Sequence, residues 1–277
     1  MIDLQVNGVG ATSFSRSPAV EEYRRAAAEL VAHGTDGFLA TIPSAPFDRY
    51  DEILDAAGAA RDAGVEGLLG VHLEGPFLSV ARRGAHPEAL LRQPDPPWLA
   101  GLLDRHRGLV RMVTLAPELP GALEVVAACR ERGVLVSVGH SAATPDEAAA
   151  VTPELVTHLF NGMDPLHHRQ PGLVGWALTE PSVVCGVIAD GVHVDRLAIR
   201  LAFLAKGADG IALVSDAVGG EPGARVRDGA WRLPDGTLAG AASLQDRGLQ
   251  VCVEAGVSLD DARAAATTTP KRLLGLL

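Results

Sequence analysis

The sequence predicts an α/β fold, and three observations together indicate a (β/α)8 TIM barrel. Short runs rich in β-branched residues alternate with longer segments of helical periodicity, as is typical of parallel βαβ units. Eight such strand and helix pairs follow one another along the chain. The length of 277 residues suits a single barrel, because eight units of about 30 residues take up about 240 and leave room only for insertions.

The predicted strands are short and apolar. They lie at residues 2–6, 37–42, 67–73, 110–116, 134–138, 155–159, 183–188 and 210–214. Segments with helical periodicity stand between them, including residues 19–32, 49–63, 121–132 and 195–206. Three of these segments are followed by a glycine, Gly34, Gly64 or Gly133, which favours a left-handed helix end.

One barrel domain, residues 1–277, is expected to carry two insertions. Residues 82–108 are rich in proline, with Pro94, Pro96 and Pro97 close together. Residues 225–240 include WRLPDGTLAG, which predicts a small hairpin with its turn at Asp235 and Gly236.

The composition excludes several classes of protein. A hydrophobic content of 47% with 21% charged residues excludes a disordered chain. A net charge of −10 repels phosphate backbones and anionic membranes, so neither nucleic acid nor a membrane is expected as a partner. Asp3 stands where a signal peptide would be basic or apolar. We expect a cytoplasmic protein, in which Cys129, Cys185 and Cys252 are reduced core residues.

Polar residues gather where the predicted strands end, which is where the active sites of such barrels form. They are His72, Glu74, His140, His158, His193 and Asp216. Each residue alone has an ordinary explanation. A histidine at a strand end often anchors a loop through hydrogen bonds, and an aspartate there often caps a helix.

Together these polar residues predict a catalytic metal site. One carboxylate and two imidazoles from three different strands can supply three ligands and leave a position for water, as a catalytic metal requires. Asp216, from the last strand, would then stand beside that water as a general base. The sequence therefore favours metal-assisted hydrolysis.

Nine segments resemble the N-acetylglucosamine-6-phosphate deacetylase family of the amidohydrolase superfamily. They are DLQVNG, GVHLEGPF with RRGAHP behind it, VTLAPE, VGHSAAT, THLFNGM, RQPGLVG, IADGVHVD, VSDA and LAGAAS. The resemblance implies hydrolysis of N-acetylglucosamine 6-phosphate to glucosamine 6-phosphate and acetate, in amino-sugar catabolism. N-Acetylgalactosamine 6-phosphate or another N-acyl sugar phosphate is an alternative substrate. A non-catalytic barrel that binds a sugar phosphate is an alternative from another functional class.

The resemblance also implies a role for each matching residue. Glu74, His140 and His158 would bind one divalent metal ion, with zinc as the first candidate and iron or manganese as alternatives. Asp216 would be the catalytic acid and base. The substrate contacts would be His86 near the acetamide carbonyl, the backbone amides of Asn161 and Gly162, His193 near the sugar and Arg169 at the phosphate. In relatives this arginine can reach in from a neighbouring subunit, so a homodimer is expected.

The sequence departs from the family pattern at four places. Gln5 and Asn7 replace the HxH pair that holds a second metal in many amidohydrolases, so one metal is expected because amides are poor zinc ligands. FNGM replaces the more usual FNAM. His167 and His168, beside Arg169, are expected to be solvated. The sequence begins at the first strand and lacks the terminal segments that form a small β-sandwich in relatives. It is therefore either truncated or a barrel-only form with bare apolar surface.

Overall fold

The computed structural model describes residues 1–220 and 223–277, in which eight parallel strands form a barrel. The strands are Ile2–Val6 (β1), Gly37–Pro43 (β2), Leu68–Glu74 (β3), Val110–Leu115 (β4), Leu135–Val138 (β5), Leu155–Val156 (β6), Val184–Ile188 (β7) and Ile211–Val214 (β8). Each strand pairs with the next along the chain. A parallel bridge between Val6 and Ala217 joins the last strand to the first. The predicted (β/α)8 barrel is confirmed.

Ten α-helices accompany the strands within residues 1–220 and 223–277. They are Val20–Ala32 (α1), Tyr50–Asp62 (α2), Pro96–Arg105 (α3), Ala122–Arg130 (α4), Pro145–Val151 (α5), Gly172–Thr179 (α6), Arg196–Lys206 (α7), Gln245–Glu254 (α8), Leu259–Ala266 (α9) and Thr268–Leu273 (α10). Local sequence sets several of their ends. Thr144 and Glu147 form a capping box at α5, and Gly34, Gly64 and Gly133 adopt positive φ angles of 79°, 67° and 66°.

The two segments predicted as insertions have different structures. Within residues 82–108, Pro96 and Pro97 open α3, the barrel helix between β3 and β4, where proline is tolerated in the first turn. Residues 225–240 belong to a three-stranded antiparallel sheet, formed by Arg225–Arg227, Ala230–Arg232 and Leu238–Ala241. The predicted hairpin is present, and Gly236 has a φ of 91° in its turn.

The hydrophobic core lies inside the barrel and between the strands and helices. The strands consist largely of buried apolar residues because both faces are covered. Cys129, Cys185 and Cys252 are buried and free, as predicted, and burial raises the pKa of each thiol to about 12. Among the described residues, no helix is long and apolar enough to cross a membrane.

Candidate active site

Three side chains from neighbouring parts of the barrel converge at its carboxyl end. Glu74 is the last residue of β3, and His140 and His158 lie two residues beyond β5 and β6. The Nε2 atom of His158 is 3.0 Å from both Glu74 Oε1 and His140 Nε2, and His140 Nε2 is 3.4 Å from Glu74 Oε1. A tetrahedral cation about 2.0–2.1 Å from each ligand needs ligand atoms roughly 3.3 Å apart. The three atoms could therefore hold a metal ion.

The backbone at these positions takes conformations that are rare outside glycine. His140, His158 and Asp216 have φ angles of 47°, 30° and 51°. Such angles cost free energy and are concentrated at functional sites. The Nδ1 atom of His140 also donates a hydrogen bond to the carbonyl of Arg82 at 2.9 Å. This contact leaves the Nε2 lone pair free for a cation.

The charges in the cluster suit metal binding. Burial raises the pKa of Glu74, but the close approach of the imidazoles of His140, His158 and His86 outweighs this effect and holds the pKa well below its ordinary value. Burial lowers the pKa of His140 to about 4. At neutral pH the cluster therefore presents the carboxylate of Glu74 and the neutral imidazole of His140, the forms in which these side chains bind metals. Burial lowers the pKa of His158, but the hydrogen bond and charge of Glu74 outweigh burial and raise it, so a cation would displace a proton from that ring.

The amides of Gln5 and Asn7 link two carboxylates. Gln5 Nε2 donates to Glu74 Oε1 and to Asp216 Oδ1, both at 2.9 Å, and Asn7 Nδ2 donates to Asp216 Oδ1 at 2.7 Å. The two amides therefore direct N–H groups, and not oxygen lone pairs, toward Glu74 and Asp216. Burial and the charge of Glu74 raise the pKa of Asp216 to about 6.

Two of the expected substrate-binding histidines line the same cavity and have defined hydrogen-bond partners. The backbone amide of Ser44 donates to His86 Nδ1 at 3.2 Å, so His86 Nε2 carries the proton and lies 3.6 Å from Glu74 Oε2. His193 Nδ1 lies 2.6 Å from Asp190 Oδ2. Both histidines therefore have one ring nitrogen fixed and the other available to the cavity.

Asn161 and Gly162 also line the cavity. The backbone amide of Asn161 already donates to the His158 carbonyl at 2.9 Å, so it is occupied within the loop. Gly162 has a φ of 61°, and a Cβ there would lie 2.8 Å from His140 Nδ1. The glycine of FNGM therefore allows this loop to pack closely against His140.

The cavity has a volume of about 680 Å³ and brings together all of the predicted site residues except one. The exception is Arg169, which is exposed and does not line the cavity of this chain. His167 and His168 beside it are exposed as predicted.

Other residues around the cluster have positions that the motifs did not indicate. His72 lies in the barrel interior, with Nε2 2.7 Å from Thr114 Oγ1, so it does not reach the cavity. Glu118 accepts hydrogen bonds from Ser141 Oγ and the Ala142 amide at 2.7 and 2.8 Å, which holds the loop that carries His140. Glu118 belongs to the VTLAPE segment, but the sequence of this segment did not indicate the contact with Ser141 and Ala142.

Comparison with known proteins decides the family. The amidohydrolase family model matches residues 1–277. The chain belongs to the amidohydrolase family. This amidohydrolase is 38% identical to the N-acetylglucosamine-6-phosphate deacetylase of Bos taurus, over 99% of this chain and 73% of that protein. It is 35% identical to a Shewanella N-acetylgalactosamine-6-phosphate deacetylase, again over 99% of this chain and 73% of the relative.

Solved structures agree with this assignment. The N-acetylglucosamine-6-phosphate deacetylase of Pasteurella multocida superposes with a TM-score of 0.92 at 31% identity, covering 99% of this chain and 76% of that one. A mutant of the Mycobacterium smegmatis enzyme, in complex with N-acetyl-D-glucosamine-6-phosphate, also gives 0.92 at 32% identity, covering 99% and 77%. The predicted family resemblance is confirmed, and this amidohydrolase is a hydrolase that spans about three quarters of these relatives.

Proposed function

We propose that this amidohydrolase removes the acetyl group of N-acetylglucosamine 6-phosphate, giving glucosamine 6-phosphate and acetate. The observation that carries the proposal is the meeting of a Glu/His/His cluster with Asp216 in one cavity. A protein that only bound a sugar phosphate would need no general base. We choose an amino-sugar phosphate as the substrate because the relatives are deacetylases of N-acetylglucosamine 6-phosphate.

Glu74, His140 and His158 would hold one divalent cation. A cation bound there would supply the Lewis acidity that activates water and polarises an amide carbonyl. We propose zinc, because two imidazoles and one carboxylate are among its usual catalytic ligands; iron and manganese are the alternatives. The N–H groups of Gln5 and Asn7, which face the carboxylates, favour a single ion.

Asp216 would move the proton during hydrolysis. Gln5 and Asn7 both donate to Oδ1, which fixes the carboxylate and leaves Oδ2 to accept the proton of the attacking water. The same oxygen would return that proton to the amine nitrogen as the C–N bond breaks. Without this protonation an amine is a poor leaving group.

Two histidines would orient the substrate. His86 carries its proton on Nε2 and can donate a hydrogen bond to the acetamide carbonyl oxygen. His193 Nδ1 donates a hydrogen bond to the Asp190 carboxylate, which leaves Nε2 in the cavity for a hydrogen bond with a sugar hydroxyl. Asn161 and Gly162 would border the sugar.

A second substrate, N-acetylgalactosamine 6-phosphate, is supported by the Shewanella relative.

We also propose a cytoplasmic location, which three free buried cysteines support because reducing compartments keep thiols unpaired. A homodimer is supported by the exposure of Arg169, which could reach the phosphate only of a neighbouring subunit's substrate.

The experiment that tests the function measures acetate release from N-acetylglucosamine 6-phosphate and from its galactosamine epimer. Each is assayed before chelation, after chelation and after metal is added back. We expect release from the glucosamine compound that stops on chelation and returns with metal. Faster release from the epimer would assign the second substrate, and no release from either would refute a deacetylase.

A further inference from the structure

The loop after β5 carries a proposed metal ligand in a backbone conformation that histidine does not favour. His140 has a φ of 47°. A residue other than glycine keeps such an angle only when the surrounding structure fixes it. The direction of the imidazole depends on this backbone, so the contacts that hold the loop also hold Nε2 at the cluster.

The peptide group between His140 and Ser141 is held on both sides. The backbone amide of Ser79 donates to the His140 carbonyl at 2.9 Å, and the Ser141 amide donates to the Gly162 carbonyl at 3.0 Å. Ser79 and Gly162 belong to the irregular loops after β3 and β6. These two contacts fix the plane of one peptide group, and the residues that follow it must be fixed by other groups.

Glu118, three residues beyond the end of β4, supplies those contacts. Its Oε2 accepts a hydrogen bond from Ser141 Oγ at 2.7 Å, and its Oε1 accepts one from the Ala142 amide at 2.8 Å. Ser141 Oγ in turn accepts from the Ala143 amide at 2.9 Å. One carboxylate therefore fixes three successive residues, directly or through the serine hydroxyl. Hydrogen bonds to a carboxylate are stronger than those to a neutral acceptor.

The side chain of Glu118 is committed to this loop. Within residues 1–220 and 223–277 it makes no other hydrogen bond and no ion pair, although it is half-buried. It does not line the cavity, so it touches neither the cluster nor a bound substrate. Any effect of Glu118 on the site must therefore pass through the loop.

The ring of His140 is oriented by a separate contact. Nδ1 donates to the Arg82 carbonyl at 2.9 Å. This hydrogen bond acts on the side chain, whereas Glu118 acts on the backbone. Loss of Glu118 should therefore leave the chemistry of the imidazole unchanged and lower the fraction of molecules in which Nε2 reaches Glu74 and His158.

We propose that Glu118 is a positioning residue that sets the metal affinity of the cluster, because it keeps His140 directed at Glu74 and His158. The proposal rests on the proposed function, which assigns a metal ion to these three ligands. An apparent dissociation constant rises in inverse proportion to the fraction of molecules in the binding conformation. An affinity lowered about tenfold thus corresponds to a loop that keeps the ligand geometry in about one tenth of the molecules.

The test measures the zinc dissociation constant of the full chain by competition with a chromogenic chelator. Glu118→Ala removes both contacts and should raise this constant by about tenfold or more, as is usual for residues that support a metal ligand. Glu118→Gln should retain most of the wild-type affinity, because its amide oxygen can accept from Ala142 and its amide nitrogen can donate to Ser141 Oγ. Glu124→Ala removes an exposed glutamate of α4 and should bind zinc as the wild type does.

Two readouts separate positioning from a general loss of structure. The melting temperature of the metal-free protein reports on the fold alone, and a purely structural role of Glu118 would lower it without weakening zinc binding by the folded protein. At saturating zinc, acetate release by Glu118→Ala should approach the wild-type kcat, because Glu118 touches no substrate.

An unchanged zinc dissociation constant in Glu118→Ala would overturn the proposal. Equal weakening by Glu118→Gln and Glu118→Ala would also overturn it, since the effect would then come from the charge and not from the hydrogen bonds. If Glu118→Ala does not fold, Ser141→Ala replaces it. That variant removes the Oε2 contact and should weaken zinc binding, whereas an unchanged constant would overturn the proposal.

The zinc titration also separates this proposal from the proposed function, because it needs no substrate. A wild type that binds zinc no more tightly than His140→Ala would refute the metal site and the role of Glu118 with it. A wild type that binds zinc and releases no acetate would refute the deacetylase alone, and weaker zinc binding by Glu118→Ala would still support the positioning role.

Discussion

Replacing Asp3 by asparagine should remove a large part of the pH dependence of stability. Asp3 is fully buried in β1, where its Oδ1 accepts hydrogen bonds from the backbone amides of Gln5 and Ser215 at 3.1 and 3.2 Å. Burial raises the pKa of this carboxyl from 3.8 to about 7, and the hydrogen bonds only partly oppose the shift. The amide oxygen of Asp3→Asn can accept the same two hydrogen bonds without ionising.

The sign and size of the effect on the free energy of unfolding follow from the raised pKa of Asp3. Because the pKa of Asp3 is higher in the folded state, its contribution to stability is fully present below 3.8 and is lost as the pH rises through about 7. A rise of about three units corresponds to roughly 4 kcal/mol over the whole range. Between about pH 5 and pH 8, the free energy of unfolding of the wild type should fall by about 2 to 3 kcal/mol relative to that of Asp3→Asn.

Urea unfolding across this pH range measures the difference. Asp48→Asn, at an exposed position, is the matched control and should follow the wild type. The free energies of unfolding of Asp3→Asn and wild type should be closest at the acidic end and separate as the pH rises. Parallel curves for these two proteins would contradict a raised pKa, since they would mean that Asp3 ionises in the folded state as it does in the unfolded state.

Three further predictions concern the cavity and the surface. Gly162→Val should lower the melting temperature and metal content, because a Cβ would lie 2.8 Å from His140 Nδ1 and a β-branched residue disfavours the φ of 61°. Unchanged metal content would contradict the close packing. Asp190→Asn should raise KM more than it lowers kcat, because the Asp190 carboxylate would no longer fix the proton on Nδ1 of His193. An unchanged KM and pH profile would show that Asp190 only stabilises the loop. Leu204 is 75% exposed on α7, and Leu204→Lys should reduce self-association in sedimentation; an unchanged distribution would place the association surface elsewhere.

The strands and the cluster could be predicted from sequence because their signals are local. Runs of β-branched residues located all eight strands, and polar residues after the third, fifth, sixth, seventh and eighth strands marked the site. The sixth strand is shorter than predicted, since positive φ angles of 30° at His158 and 79° at Phe160 end the extended backbone after Val156. That conformation depends on the packing of the loop, which a residue pattern does not encode.

The contacts between distant segments could not be predicted in this way. Gln5 was recognised as a departure from a metal-ligand motif, but its bridge between Glu74 and Asp216 joins three strands of the barrel. The family resemblance indicated that Arg169 can serve a neighbouring subunit, but a motif shows the residue type and not the direction of its loop. Its exposed position outside the cavity of this chain is therefore known only from the structure.

The most direct test of the proposed mechanism measures metal content and acetate release together for the wild type, Asp216→Asn and Glu74→Gln. We expect one equivalent of divalent metal in the wild type, with acetate released from N-acetylglucosamine 6-phosphate. Asp216→Asn should keep its metal and lose at least about a hundredfold in kcat, the lower range for a positioned acid and base, while Glu74→Gln should lose the metal and with it the activity. Turnover near the wild-type rate by Asp216→Asn, with its metal in place, would contradict the role of Asp216 as the catalytic acid and base.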